Sequence, residues 1–151
     1  MRRAAVLLLG LCPALLAGPA AGGLDDTVRA QPMAGTLPRS GDPKVDMGHA
    51  GELLRSDKLR HEHEVTILRA HDALLGWCSY LDAQPEPQVV EAGAVLHLAT
   101  LVEGRLSHPV PSVLDLVAAL HPTPAVGGWP LEPALALIVE LEGLDRDRVG
   151  G

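Results

Sequence analysis

Asp145, Asp147 and Gly150, in the closing stretch "LDRDRVGG" of this 151-residue chain, have the types and spacing for metal chemistry. Calcium takes hard oxygen ligands from a loop that opens D-x-[DN]-x-[DN]-G, where the glycine lets the chain turn around the ion. The two aspartates fall at the first and third positions of that pattern and the glycine at the sixth. Leu137, Leu141 and Leu144 precede them at the spacing of an apolar helix face running into such a loop. Val149 occupies the fifth position, where its side chain cannot ligate, and Gly151 is reached before the usual bidentate glutamate. The expected ligands are therefore the carboxylates of Asp145 and Asp147 with the carbonyl of Gly151, fewer oxygens than calcium normally takes. A charged helix end followed by a frayed tail is the plainer alternative.

The run "HEHE" at residues 61–64, with His71 beyond it, is the other cluster with ligand chemistry, since neutral imidazole binds zinc and copper. On a helix, however, His61 and His63 point in different directions, and a solvated charged face explains the run more simply. His71 lies on an apolar stripe and reads as a core histidine. Ser79, Ser107 and Ser112 lack the setting of an activated nucleophile, Cys78 has no histidine placed beside it by spacing, and no glycine-rich loop links a strand to a helix. The expectation is a protein without catalytic activity.

The elements that would position these residues read as helices. From about residue 51 to residue 82 the pattern is helical, and Ile67, Leu74 and Leu81, together with His71 and Cys78, recur at steps of three and four. Pro85 breaks that helix. Val90, Ala94, Leu98, Leu101 and Val102 line one side of a second, Ser112 and Asp115 form a capping box for a third, and Leu137, Leu141 and Leu144 mark a fourth. The expected fold is all-α: a bundle of about four helices joined by Pro/Gly-rich loops and occupying residues 47–151.

Two segments precede it. "MRRAAVLLLGLCPALLAGPAAG" opens with Arg2 and Arg3, continues as an apolar run too short to span a bilayer, and ends in small residues. It reads as a signal peptide, residues 1–22, cut after Gly22 or Ala20, which directs the chain to the secretory pathway or outside the cell. Residues 23–46 are rich in Gly, Pro and polar residues and read as a disordered leader. Loss of the signal leaves Cys78 as the only thiol. The formal charge of -7 disfavours nucleic acid as a partner, and no later stretch suits stable membrane insertion. The chain has no Phe and no Asn, a bias that fits a GC-rich coding region and keeps open a truncated product without independent function.

With its signal, polar leader, "ILRAHD" ending at Asp72 and "LIVELEGLDRD", the sequence resembles the small secretory-pathway EF-hand proteins of the multiple coagulation factor deficiency and cell growth regulator types. After Asp72, "ALLGWCSYLDA" offers no oxygen ligands, so a first calcium loop is absent. The resemblance implies a secreted, non-enzymatic protein-binding module, a degenerate EF-hand pair with calcium as its possible cofactor. The alternative is a metal-independent helical interaction protein whose face, Ile67, Leu74 and Leu81, docks a protein partner.

Overall fold

The computed structural model describes residues 5–7 and 26–143 of the chain. Its elements are β1 (Ala5–Leu7), β2 (Thr27–Ala30), β3 (Met33–Pro38), α1 (Pro43–Arg55), α2 (Asp57–Leu75), β4 (Cys78–Ala83), β5 (Gln88–Ala92), β6 (Val95–Ala99), β7 (Val102–Leu106), α3 (Val113–Leu120), α4 (Pro124–Gly127) and α5 (Leu131–Glu142). This is an α/β fold, and the all-α expectation is overturned. One sheet has the order β1-β2-β7-β4 and the other β3-β6-β5. All pairings are antiparallel except that of β1 with β2.

The two sheets share one plan. Strands β2 and β3, β7 and β6, and β4 and β5 are consecutive pairs, so each of three chain segments passes from one sheet to the other while keeping its neighbours. The crossings are stitched together: the Thr100 amide donates to the Pro32 carbonyl at 3.3 Å, and the Gln84 amide donates to the Leu101 carbonyl at 2.9 Å. Residues 27–38, expected within a disordered leader, form two of these strands, and α1 begins at Pro43 inside the same stretch. Asp42 caps α1 by accepting the Lys44 amide at 2.8 Å, and Pro43 stands in its first turn, where a missing N–H costs nothing.

The helix expected to reach Asp82 stops at Gly76, and residues 78–83 are strand β4. The helix expected around Val90 and Leu98 is a hairpin. Ala92 pairs with Val95 across a two-residue turn whose first member, Gly93, has φ 61°, the positive value that tight hairpin turns require at that position. Leu98 is buried in β6 and Val102 in β7, on opposite sides of the sheet crossing at Thr100 and Leu101. The third helix forms as expected, with the Ser112 and Asp115 capping box closed in both directions.

Two clusters make the core. Val28, Ala30, Ala70, Leu74, Val102, Leu106, Leu116 and Leu120 lie between the first sheet, the second half of α2 and α3. Leu53, Leu96 and Leu98, with Leu37, Leu59 and Val89, lie between α1, the start of α2 and the second sheet. Helix α2 therefore spans both. Ile67, Leu74 and Leu81, the expected docking face, all belong to the first cluster or pack against it, so they meet the chain's own sheet and helices.

Gly104 in the central strand β7 is held small by its neighbours. A Cβ there would lie 2.6 Å from both the Leu81 Cδ1 and the Tyr80 carbonyl oxygen, and the second of these is backbone with little room to yield. Gly104→Ala is expected to cost about 1–3 kcal/mol by overpacking, read as a lowered urea midpoint at unchanged slope. An unchanged midpoint would show that the strands separate freely.

Candidate catalytic cavity

A cavity of about 610 Å³ opens where four distant segments meet: β3, the first half of α2, β6, and the stretch carrying α4 and Trp129. Its size suits a small organic molecule. Helix α2 turns His61, Glu62, Val65 and Thr66 toward it, the i, i+1, i+4, i+5 spacing of one helix face. Strand β6 contributes His97 and β3 contributes Thr36, directly opposite His97 in the ladder.

The pairing of β3 with β6 is irregular between Ala34 and Thr36, and Gly35 sits there with φ 73°. A side chain at Gly35 would be strained by that φ and would also come within 3.0 Å of the Leu59 carbonyl on α2. The bulge thus lets β3 lie close under α2 while re-aiming Thr36. Thr36 Oγ1 and His97 Nδ1 are 2.9 Å apart. Burial pushes the His97 imidazole below its ordinary value, with a hydrogen bond to the Gly35 backbone acting in the opposite sense. Burial thus favours the neutral ring, which offers one donor and one acceptor.

Glu62 is the carboxylate of the lining, and its nearest cation is Lys58, one turn earlier, with Nζ 3.8 Å from Oε1. No lysine or arginine is among the described lining residues. The next residue, His63, points the other way and is fully buried, its Nε2 2.8 Å from Thr100 Oγ1, while its Nδ1 has no partner. Glu62 faces the cavity and His63 anchors the helix to the point where the chain crosses between the sheets.

That anchor is acid-sensitive. Burial pushes His63 from 6.5 down to about 4, so the unfolded chain takes up the proton first as pH falls. Stability attached to this group is complete above pH 6.5 and is lost progressively toward pH 4, by about 3 kcal/mol. His63→Gln, which keeps a hydrogen-bonding side chain but cannot titrate, should flatten the loss between those pH values in urea unfolding. An equal acid loss in the variant would place its origin elsewhere.

Of the residues singled out by spacing, Asp145, Asp147 and Gly151 lie outside the described residues. Among the described residues, no three His, Cys, Asp or Glu side chains gather as a metal site, and His71 sits beside Asp72, away from the cavity lining. The "HEHE" run, read as a solvated face, contributes His61 and Glu62 to the cavity and His63 to the interior. "HPTPAV", read as a loop, supplies Thr123, Pro124, Ala125 and Val126 to the cavity wall. The signal available in the sequence was the alternation of roles along residues 61–66, facing the cavity and the core in turn.

Comparison with known proteins bears directly on this cavity. The sequence profile described as chorismate binding enzyme matches residues 23–151. A candidate isochorismate synthase, MenF, of Mycobacterium tuberculosis is 42% identical over 144 residues, 95% of this chain and 37% of that protein. Isochorismate synthase DhbC of Bacillus subtilis is 40% identical over 139 residues, 92% of this chain and 34% of its own length. Among solved structures, a DhbC of Bacillus anthracis, a candidate 2,3-dihydroxybenzoate-specific isochorismate synthase, aligns with a TM-score of 0.77 and 43% identity, over 81% of this chain and 33% of that one. The chain spans about a third of the length of the relatives it matches.

These matches overturn the EF-hand resemblance and, with it, the secreted, non-enzymatic binding module. The secretory assignment falls on the same ground. Its carrier was residues 1–22, and the Mycobacterium tuberculosis match covers 144 of the 151 residues, so it takes in most of that segment. Among the described residues, no helix is long and apolar enough to cross a membrane.

Proposed function

Because the chain belongs to the chorismate-binding enzyme family, we propose that its cavity is one wall of a site that converts chorismate to isochorismate. The observation that carries this reading is the convergence of Glu62, His97 and Thr36, from α2, β6 and β3, on one cavity of small-molecule size. Chorismate differs from isochorismate in the position of a ring hydroxyl. Water must bond to C2 and give up a proton to solvent, the ring double bonds must shift, and the C4–oxygen bond must break, with the departing hydroxyl taking up a proton to leave as water. Glu62 is the lining group suited to deliver that proton. His97, its neutral form favoured by burial and its ring fixed by Thr36, orients the substrate ring through a hydrogen bond. Val65, Ala125, Val126 and Trp129 supply the apolar surface against which the ring lies.

The test is a chimera in which this whole chain replaces the matching third of the Bacillus anthracis DhbC protein. A cooperatively melting chimera that forms isochorismate from chorismate is the expected result. A folded chimera that binds no chorismate and forms no isochorismate would overturn the reading.

A further inference from the structure

Thr100 stands where the chain leaves β6 for β7, fully buried and outside the cavity lining. Its backbone amide donates to the carbonyl of Pro32, the residue before β3, at 3.3 Å. Its hydroxyl lies 2.8 Å from Nε2 of His63 on α2, and because His63 Nδ1 has no partner, this bond is the polar tie of a ring that is itself only 1% exposed. His97 lies three residues earlier on the strand that Thr100 follows. One buried residue is thus joined, through its amide, its hydroxyl and the chain itself, to the three elements that carry Thr36, Glu62 and His97 to the cavity.

The join is directional. His63 and Thr66, three residues apart, are the buried side of this turn of α2, and Thr66 Oγ1 donates back to the Glu62 carbonyl at 2.9 Å. Any slide or rotation of α2 that re-aimed Glu62 would break the His63 bond and leave two buried polar groups unpaired, a heavier loss than that of an exposed bond. The apolar contacts around it are non-directional and impose no such register. We propose that Thr100 is a positioning residue: it touches no substrate, and it sets the placement of Glu62 relative to His97 and Thr36 by registering α2 and β3 against β6. The registration stands on the buried bonds. Its effect on rate rests on the chorismate reading, because Glu62 and His97 must then act on one ring held between them.

The test compares Thr100→Val, which keeps the shape and removes the hydroxyl, with Thr100→Ser, which keeps the hydroxyl. Both are made in the chimera and assayed at a temperature where the melt shows every sample fully folded. Thr100→Val should lower kcat by about 100-fold, the effect of misplacing a reacting group by about 1 Å, with KM for chorismate within about threefold of the parent. Thr100→Ser should restore kcat to within about threefold. A folded Thr100→Val chimera with the parent's kcat would overturn the proposal, as would an equal loss in Thr100→Ser. Should Thr100→Val fail to melt cooperatively, His63→Leu is added, so that no buried imidazole is left unpaired. The same fall in kcat is expected of that pair, and the parent's kcat in it would overturn the proposal equally. The registration is read without substrate from residual dipolar couplings of backbone amides in the full chain: α2 should turn relative to β3 and β6 in Thr100→Val and not in Thr100→Ser. An unmoved α2 overturns the proposal whatever the chimera does. A parent chimera that makes no isochorismate removes the chorismate reading, and the couplings then decide the registration by themselves.

Discussion

Glu62→Gln in the chimera lowers the rate of isochorismate formation by about 10²–10⁴-fold, the usual worth of a positioned proton donor. Glutamine keeps the shape and the hydrogen bonds of the side chain but cannot give up a proton at the departing oxygen. Substrate affinity should change little, so the loss falls on kcat. Stability should not change either: the side chain is half exposed and its ion pair with Lys58 is a 3.8 Å contact at the surface, worth at most about 1 kcal/mol. The measurement is initial rate against chorismate concentration, with a thermal melt of the same sample. A variant within about threefold of its parent would remove Glu62 from the proton transfer.

Leu74→Ala should lower the unfolding free energy of the chain by about 2–5 kcal/mol. Leu74 is fully buried near the end of α2, where the helix packs against the first sheet and α3, and the cluster around it includes Val102, Leu106 and Leu116. A domain of this size has about 5–15 kcal/mol in total, so the urea midpoint should fall by a large fraction. The sequence reading assigned Leu74 to a docking face, and the two readings part here. A docking leucine would be lost with no change in the melt, whereas a core leucine takes the fold with it.

The difference between those readings shows why the architecture was only partly legible. Helix α3 announced itself through Ser112 and Asp115, a local device that closes within four residues. The strands did not. Val90, Ala94, Leu98 and Leu101 satisfy helical steps because β5, the Gly93 turn, β6 and the crossing at Thr100 follow one another too quickly for any alternation to run long. Residues 27–38 looked like disordered leader because strands of Ala, Gly, Thr and Pro owe their order to pairing with β6 and β7, a long-range effect that composition does not carry. The site was hidden for a related reason. Its walls come from residues 33–36, 61–66, 97 and 123–129, and only the fold brings them together. Glu62 resembled an ordinary surface carboxylate because the cavity it faces is open to solvent.

The neighbouring positions of Glu62 and His63 tie the shape of the cavity to the stability of the fold. One residue faces the cavity and the next bolts α2 to the sheet crossing at Thr100. Acid therefore reaches the helix that aims Glu62 through its neighbour: between pH 6.5 and about 4 the unfolded chain takes up the proton that buried His63 does not, and the fold loses stability. In the chimera, any loss of isochorismate formation in that range that tracks loss of the folded form should therefore shrink in the His63→Gln variant.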